Sequence, residues 1–210
     1  MSAHPTANET HPGLNLHPGH GDAHGQAEEK VFGFWVFMMS DAILFGLLMA
    51  TYAAMLSGTA GGPGPKELFE LASAAVQTAV LLASSFTFGM ASLALKYEHP
   101  TKRVVLWLLV TLGLGATFLA LELRDFAAMV EAGAVPSRSG YLSAFWALVP
   151  LHGLHVTLAI VWMLSLFAQV AIYGLDADAK HTVLRLGILW HFLDVVWVAI
   201  VSLVYLGGLA

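Results

Sequence analysis

Long runs of apolar residues, separated by short polar segments, dominate the sequence. Five such runs follow one another, at about residues 31–56, 68–95, 104–123, 141–173 and 183–209. Each run is long enough to cross a bilayer core, which takes about 20 residues of helix, and alternation with a period of two is absent. Because a backbone inside lipid must satisfy its own hydrogen bonds, we predict an all-α integral membrane bundle of five transmembrane helices.

The first 30 residues have a different character from the rest of the chain. They contain Gly, Pro and five histidines but no apolar run; the histidines are His4, His11, His17, His20 and His24. Such a biased polar composition is typical of disorder. We therefore expect residues 1–30 to form a disordered tail in front of a transmembrane domain of residues 31–210. Loose binding of a metal by the tail histidines is the less favoured alternative.

Composition and charge exclude several classes of protein. Only 11% of the residues are charged, against about a quarter in ordinary soluble domains. The net charge of −5 is not arranged as a basic patch, so nothing supports a nucleic-acid partner. The absence of Cys excludes disulfides, thiolate catalysis, zinc–thiolate sites and Cys-ligated iron–sulfur clusters.

The distribution of basic residues predicts the orientation of the bundle. Five crossings place the two termini on opposite sides, and Lys and Arg residues number six on the side of the N-terminus and three on the other side. Basic residues favour the cytoplasmic side of a membrane. We therefore predict a cytoplasmic N-terminus.

Ionisable residues inside the predicted spans are the candidate functional residues, because charge is costly in hydrocarbon. A rise of about 1.5 Å per residue places five of them in one layer of the membrane. They are Asp41, His152, His155, His191 and Asp194. Residues three apart share a helix face, so His152 pairs with His155 and His191 with Asp194. We predict one polar cluster between the first, fourth and fifth helices.

Each candidate also has a purely structural interpretation. Asp41 is either a buried acid that fixes packing or a group that handles protons or contacts lipid. The three intramembrane histidines are explained more simply by hydrogen bonds between helices than by metal or haem ligation. Asp194 is then the partner that orients His191. Glu122 lies near the outer interface, where we expect it to be solvated.

Two other classes of membrane protein remain as alternatives. A small haem-bearing anchor would ligate one iron with His152 or His155 and with His191. A proton- or ion-coupled transporter would use Asp41 and Asp194 as carriers, although the sequence shows no internal repeat. Motifs typical of hydrolases, zinc proteases and nucleotide-binding proteins are absent from the sequence.

Four segments carry distinctive combinations of residues: MSDAILF at 39–45, LELRDF at 121–126, HGLHV at 152–156 and WHFLDVVW at 190–197. Together they resemble subunit III of the haem–copper respiratory oxidases. The resemblance covers essentially everything after the tail. Mitochondrial-type subunits III have seven helices and a Glu in the first motif, whereas five helices and Asp41 are similar to the bacterial cytochrome bo-type ubiquinol oxidases. Some bacterial cytochrome c oxidases also have a five-helix subunit III, so that branch stays open.

The resemblance implies a non-catalytic subunit of an oxidoreductase complex in the bacterial cytoplasmic membrane. The haems and the copper would lie in subunit I, against which this chain would pack beside other oxidase subunits, and the chain itself would hold no redox cofactor. Phospholipid would occupy a cleft between the first two helices and the others, and the subunit would sustain proton uptake. The family's intramembrane acid corresponds to Asp41, and its other characteristic polar residues correspond to Glu122, His152, His155, His191 and Asp194.

Overall fold

The computed structural model of the protein describes residues 21–62, 64, 68 and 71–207, with side chains from residue 32 onward in the first helix. Within these residues the secondary structure is helical, without strands. The five long helices are α1 (Gly21–Met55), α2 (Leu71–Lys96), α3 (Thr101–Glu131), α4 (Gly140–Tyr173) and α5 (Ala177–Ile200). A short 3₁₀ helix, Pro136–Arg138, precedes α4, and a π-helical turn, Val201–Leu206, continues α5.

All five long helices are long and apolar enough to cross a membrane. Many large apolar side chains on their outer faces are exposed, including Ile43 at 74% and Ile172 at 71%. Exposed apolar side chains over a whole bundle are what a protein surrounded by lipid or by partner helices requires. The prediction of an all-α, five-helix membrane bundle is therefore confirmed.

The helices do not pack simply in chain order. The hairpin of α2 and α3 forms the most extensive contact, whereas α1 packs on α4 and α5. Helix α5 contacts α1, α2 and α4, so it lies at the centre of the bundle. The resemblance implied that the first two helices stand apart as a pair. That implication is wrong in the described residues, because α1 and α2 do not pack on each other extensively and both pack on α5.

Two glycines allow α5 to approach its neighbours closely. A Cβ atom at Gly115 of α3 would lie 2.7 Å from the ring of Trp190, and one at Gly187 of α5 would lie 2.9 Å from the ring of Phe88. Small residues at such positions are typical of helix packing in membranes. The aromatic rings therefore occupy space that only glycine leaves free.

Helix α3 is longer than its apolar run. The apolar runs end at 123 and begin again at 141, which predicts a loop over residues 124–140, but α3 continues to Glu131, and Gly133, with a φ of 73°, follows its C-cap. The bonds from Gly133 N to Val130 O (2.9 Å) and from Ala134 N to Met129 O (2.9 Å) form a Schellman motif. The loop prediction failed because the polar residues after 123 are good helix formers, and polarity marks the edge of a membrane span rather than the end of a helix.

The predicted starts of α1 and α5 also differ from the structure. Helix α1 has helical backbone from Gly21, ten positions before the predicted start, and the rest of the predicted tail lies outside the described residues. Helix α5 begins at Ala177 rather than at 183, because the carboxylate of Asp176 accepts a hydrogen bond from Ala179 N (2.7 Å) and caps the first turn. Helix α4 matches its prediction closely and passes through Pro150 without ending.

Candidate functional site

Asp41 and His155 form a polar contact between α1 and α4. Asp41 Oδ2 lies 3.1 Å from His155 Nε2, and the two side chains are only 12% and 19% exposed. The other ring nitrogen, Nδ1, lies 2.8 Å from the carbonyl oxygen of Leu151. Because a carbonyl only accepts, Nδ1 carries a hydrogen, and Nε2 is the nitrogen left for the acid. The pair can therefore hold a proton either on the imidazole or on the carboxyl.

Asp41 and His155 lie close enough for an ion pair, but their relative orientation is not that of a hydrogen bond. Asp41 Oδ2 receives no well-aligned hydrogen bond from the described residues, although the imidazole nitrogen is within ion-pair distance. The buried ring of Phe45, one turn after Asp41, lies edge-on to His155 at 5.3 Å between ring centroids. An aromatic ring thus closes one side of the pair.

His152 faces the interior of the bundle and not the acid. It is completely buried, stacks on Trp197 at 5.3 Å and meets Phe118 and Phe45 edge-on at 5.9 and 6.4 Å. Neither ring nitrogen has a hydrogen-bond partner in the described part of the chain. The expectation that His152 forms a hydrogen bond between helices is therefore wrong in this structure.

Glu122 is buried, contrary to the expectation that solvent covers it. It is 2% exposed, and its carboxyl lies against the backbone of α4 at Gly153, where a Cβ atom would come within 2.5 Å of Oε2. The other oxygen, Oε1, has no hydrogen-bond partner among the described residues. The expectation of a solvated Glu122 came from its depth along the helix alone. Depth does not show towards which neighbouring helix the side chain points.

His191 and Asp194 face α2, on the other side of α5. His191 Nδ1 lies 2.8 Å from Ser85 Oγ, and Asp194, which is 7% exposed, interacts electrostatically with both His191 and Ser85. The predicted pairing of His191 with Asp194 is thus seen. The predicted single cluster is not, because α5 turns this face towards α2 while His155 points to α1.

The same stretch of α5 carries two tryptophans that bind α2. Trp190 Nε1 donates to Ser84 Oγ and Trp197 Nε1 donates to Thr78 Oγ1, each at 3.1 Å. The tryptophans are seven residues apart, which is two helical turns, so both lie on one face of α5. The two indole hydrogen bonds of segment 190–197 therefore hold α5 against α2.

A further polar group, which was not predicted from the sequence, lies at the first two turns of α2. Asp125 Oδ2 accepts hydrogen bonds from Ser73 Oγ (2.6 Å) and Gln77 Nε2 (2.7 Å), and Asp125 Oδ1 lies 3.2 Å from Arg124 Nη2. Asp125 and Arg124 belong to the LELRDF segment that carried the resemblance. The spacing of Ser73 and Gln77, one turn apart in a predicted span, was the signal that could have pointed to them.

The described residues place these ionisable groups at contacts between helices. Within the described residues no three His, Asp or Glu side chains come together to hold a metal. His155 is turned to α1 and His191 to α2, so they do not face one haem iron. Ser85, His191 and Asp194 lack the order of a catalytic triad, because Ser85 lies between the imidazole and the acid.

Comparison with known proteins identifies similar sequences over almost the whole chain. The family model described as "Cytochrome c oxidase subunit III" matches residues 19–209. The "Cytochrome bo(3) ubiquinol oxidase subunit 3" of Pseudomonas aeruginosa is 43% identical over 189 residues, 90% of each chain. The "Quinol oxidase subunit 3" of Bacillus subtilis is 38% identical, covering 92% of this chain and 98% of the relative. The "Cytochrome c oxidase subunit 3" of Bacillus sp. strain PS3 is 38% identical over 88% of each.

Proposed function

The chain belongs to the cytochrome c oxidase subunit III family, and from this membership we propose that it is the subunit III of a proton-pumping ubiquinol oxidase. As a subunit III of a haem–copper oxidase it is a multi-pass membrane protein without a catalytic centre of its own. The observation that carries the proposal is the family match over residues 19–209. The five-helix form and the ubiquinol oxidase names of the relatives support ubiquinol as the electron donor.

We propose subunit I, which holds the haems and the copper, as the main partner in the complex. The support is the exposed apolar surface of the bundle, which offers a large area for partner helices in the membrane. The excess of Lys and Arg on the side of the N-terminus supports a cytoplasmic N-terminus in a bacterial cytoplasmic membrane.

The proposed task of the subunit is to sustain proton uptake by subunit I and to bind phospholipid beside it. Asp41 and His155 support this role because they form a contact of two ionisable side chains inside membrane-spanning helices. Ionisable residues inside membrane-spanning segments are rare and mark proton or ion pathways in many membrane proteins.

The task is tested by comparing the oxidase with and without this chain over many turnovers. We expect the complex that lacks the chain to begin at normal speed and then to lose proton uptake and activity, and the restored chain to prevent the loss. Equal proton uptake and equal lifetime in both preparations would contradict the proposed role.

A cytochrome c oxidase is the second candidate, supported by the relative from Bacillus sp. strain PS3 that carries that name. The electron donor separates the two candidates directly. The purified complex should consume oxygen with ubiquinol and fail to do so with reduced cytochrome c. The opposite preference would assign the chain to the second candidate.

A further inference from the structure

A cavity of about 170 Å³ lies where α2 begins, α3 ends and the π-helical turn follows α5. Its lining includes four oxygen-bearing side chains, Ser73, Gln77, Glu122 and Asp125, and three aromatic residues, Phe126, Phe145 and Tyr205. The alanines at positions 128 and 132 also line it and are exposed, so the cavity reaches the surface of the bundle. None of these groups takes part in the contact of Asp41 with His155.

The amide of Gln77 presents an oxygen that lacks a donor. Its Nε2 is the atom that bonds Asp125 Oδ2, since an ionised carboxylate only accepts, and this fixes the orientation of the amide. Gln77 is 1% exposed, and its Oε1 has no hydrogen-bond partner in the described residues. A buried acceptor without a donor is destabilising, so this oxygen can accept a hydrogen bond from a bound molecule.

Glu122 supplies a second oxygen of the same kind. Its Oε1 is buried and unpartnered, while its Oε2 lies against Gly153. Asp125 has Arg124 beside it at 3.2 Å, whereas no ion pair of Glu122 occurs among the described residues. Two residues that line the cavity, Gln77 and Glu122, thus each carry a buried acceptor oxygen without a donor in the described part of the chain.

The geometry points to a binding site for a primary ammonium group in this cavity. An ammonium carries one charge and three N–H donors, which match the unpartnered oxygens of Glu122 and Gln77, and aromatic rings favour a cation nearby. A calcium ion would need six or more oxygen ligands, and the apolar side chains of the cavity suit an alkyl stem better than a hydrated ion. In a membrane such a group is carried by an aminophospholipid headgroup or by a free amine.

The site is tested by native mass spectrometry of the purified, delipidated complex that contains the full chain. The probes are phosphatidylethanolamine, phosphatidylcholine, phosphatidylglycerol and free ethanolamine. We expect one molecule of phosphatidylethanolamine to bind about ten-fold more tightly than phosphatidylcholine, whose quaternary ammonium has no N–H donor. If free ethanolamine displaces phosphatidylethanolamine, the natural ligand is a free amine. If ethanolamine does not displace the bound lipid, the natural ligand is the lipid headgroup. Both outcomes support an ammonium site.

Two variants locate the binding. Glu122→Gln should abolish the preference for phosphatidylethanolamine, and Ala128→Phe should block the opening while leaving every polar group in place. Ala127→Phe is the matched control, since Ala127 is exposed and does not line the cavity. Equal binding of the two lipids by the parental protein, or an unchanged preference in both variants, would overturn the proposal. The proposed site requires only that this chain spans a membrane. These binding experiments therefore test the site without testing which subunit is the partner of the chain.

Discussion

The carboxyl of Glu122 on α3 rests against the backbone of Gly153 on α4, the residue that separates His152 from the rest of its motif. A Cβ atom at Gly153 would lie 2.5 Å from Oε2 and 3.4 Å from Oε1. This contact joins two of the four segments that carry the family resemblance, LELRDF and HGLHV. It explains why a glycine stands between two large side chains in the middle of α4.

Gly153→Ala should therefore destabilise the bundle. We expect a loss of about 1–3 kcal/mol, the usual cost of overpacking, because Glu122 is buried and cannot swing into solvent. The measurement is the free energy of unfolding in detergent. Gly89→Ala in α2 is the control, since a Cβ there meets nothing within 4 Å.

A double variant shows whether the clash has the proposed cause. Glu122→Asp shortens the acid by one methylene, so the pair Gly153→Ala with Glu122→Asp should lose less than the sum of the two single losses. Strictly additive losses would mean that Gly153 and Glu122 do not interact.

Asp41→Asn should shorten the period over which the oxidase takes up protons while leaving assembly and initial turnover largely intact. The amide keeps the shape of the acid but cannot exchange a proton with His155 Nε2. The measurement is proton uptake by the complex in vesicles during continuous turnover. Asp194→Asn makes the same chemical change beside α2, and it should leave the time course unchanged. If both variants retain the parental time course, the role of Asp41 is packing alone.

Thr78→Val should weaken the docking of α5 on α2. It removes the acceptor of the Trp197 indole without changing the size of the side chain, and hydrogen bonds between membrane helices contribute about 1 kcal/mol. The measurement is again the free energy of unfolding. Thr117→Val is the matched control, because Thr117 bonds only the carbonyl of Gly113 within its own helix. Equal effects of the two changes would argue against a docking role for Trp197.

Glu98→Gly should stabilise the end of α2. Glu98 has a φ of 51°, and the bond from His99 N to Ala94 O (3.0 Å) closes a Schellman motif around it. An L-residue pays about 1–2 kcal/mol in this conformation, whereas glycine adopts it freely. A higher thermal midpoint for Glu98→Gly, with no gain for Glu98→Ala, would confirm this. An equal gain from alanine would show that the charge of Glu98, and not its backbone, is the cause.

The sequence predicted the number and type of the elements well, because apolar length alone decides how often a chain crosses a bilayer. It predicted the pairing of His191 with Asp194, since a spacing of three residues sets a common helix face. It failed to predict that α5 turns this pair to α2, because spacing within a helix does not tell which neighbour the face meets. The burial of Glu122 and the partners of Asp125 were missed for the same reason, since both depend on contacts between helices.

We propose that this chain serves a redox centre held by another subunit. The most direct test is to purify the full chain through a tag in mild detergent and to record the subunit composition and the visible spectrum of the product. We predict that a much larger subunit bearing haem and copper co-purifies, and that its haem bands stay with it when the chain is dissociated. Recovery of the chain as a free-standing protein, or haem absorption by the isolated chain, would contradict the account.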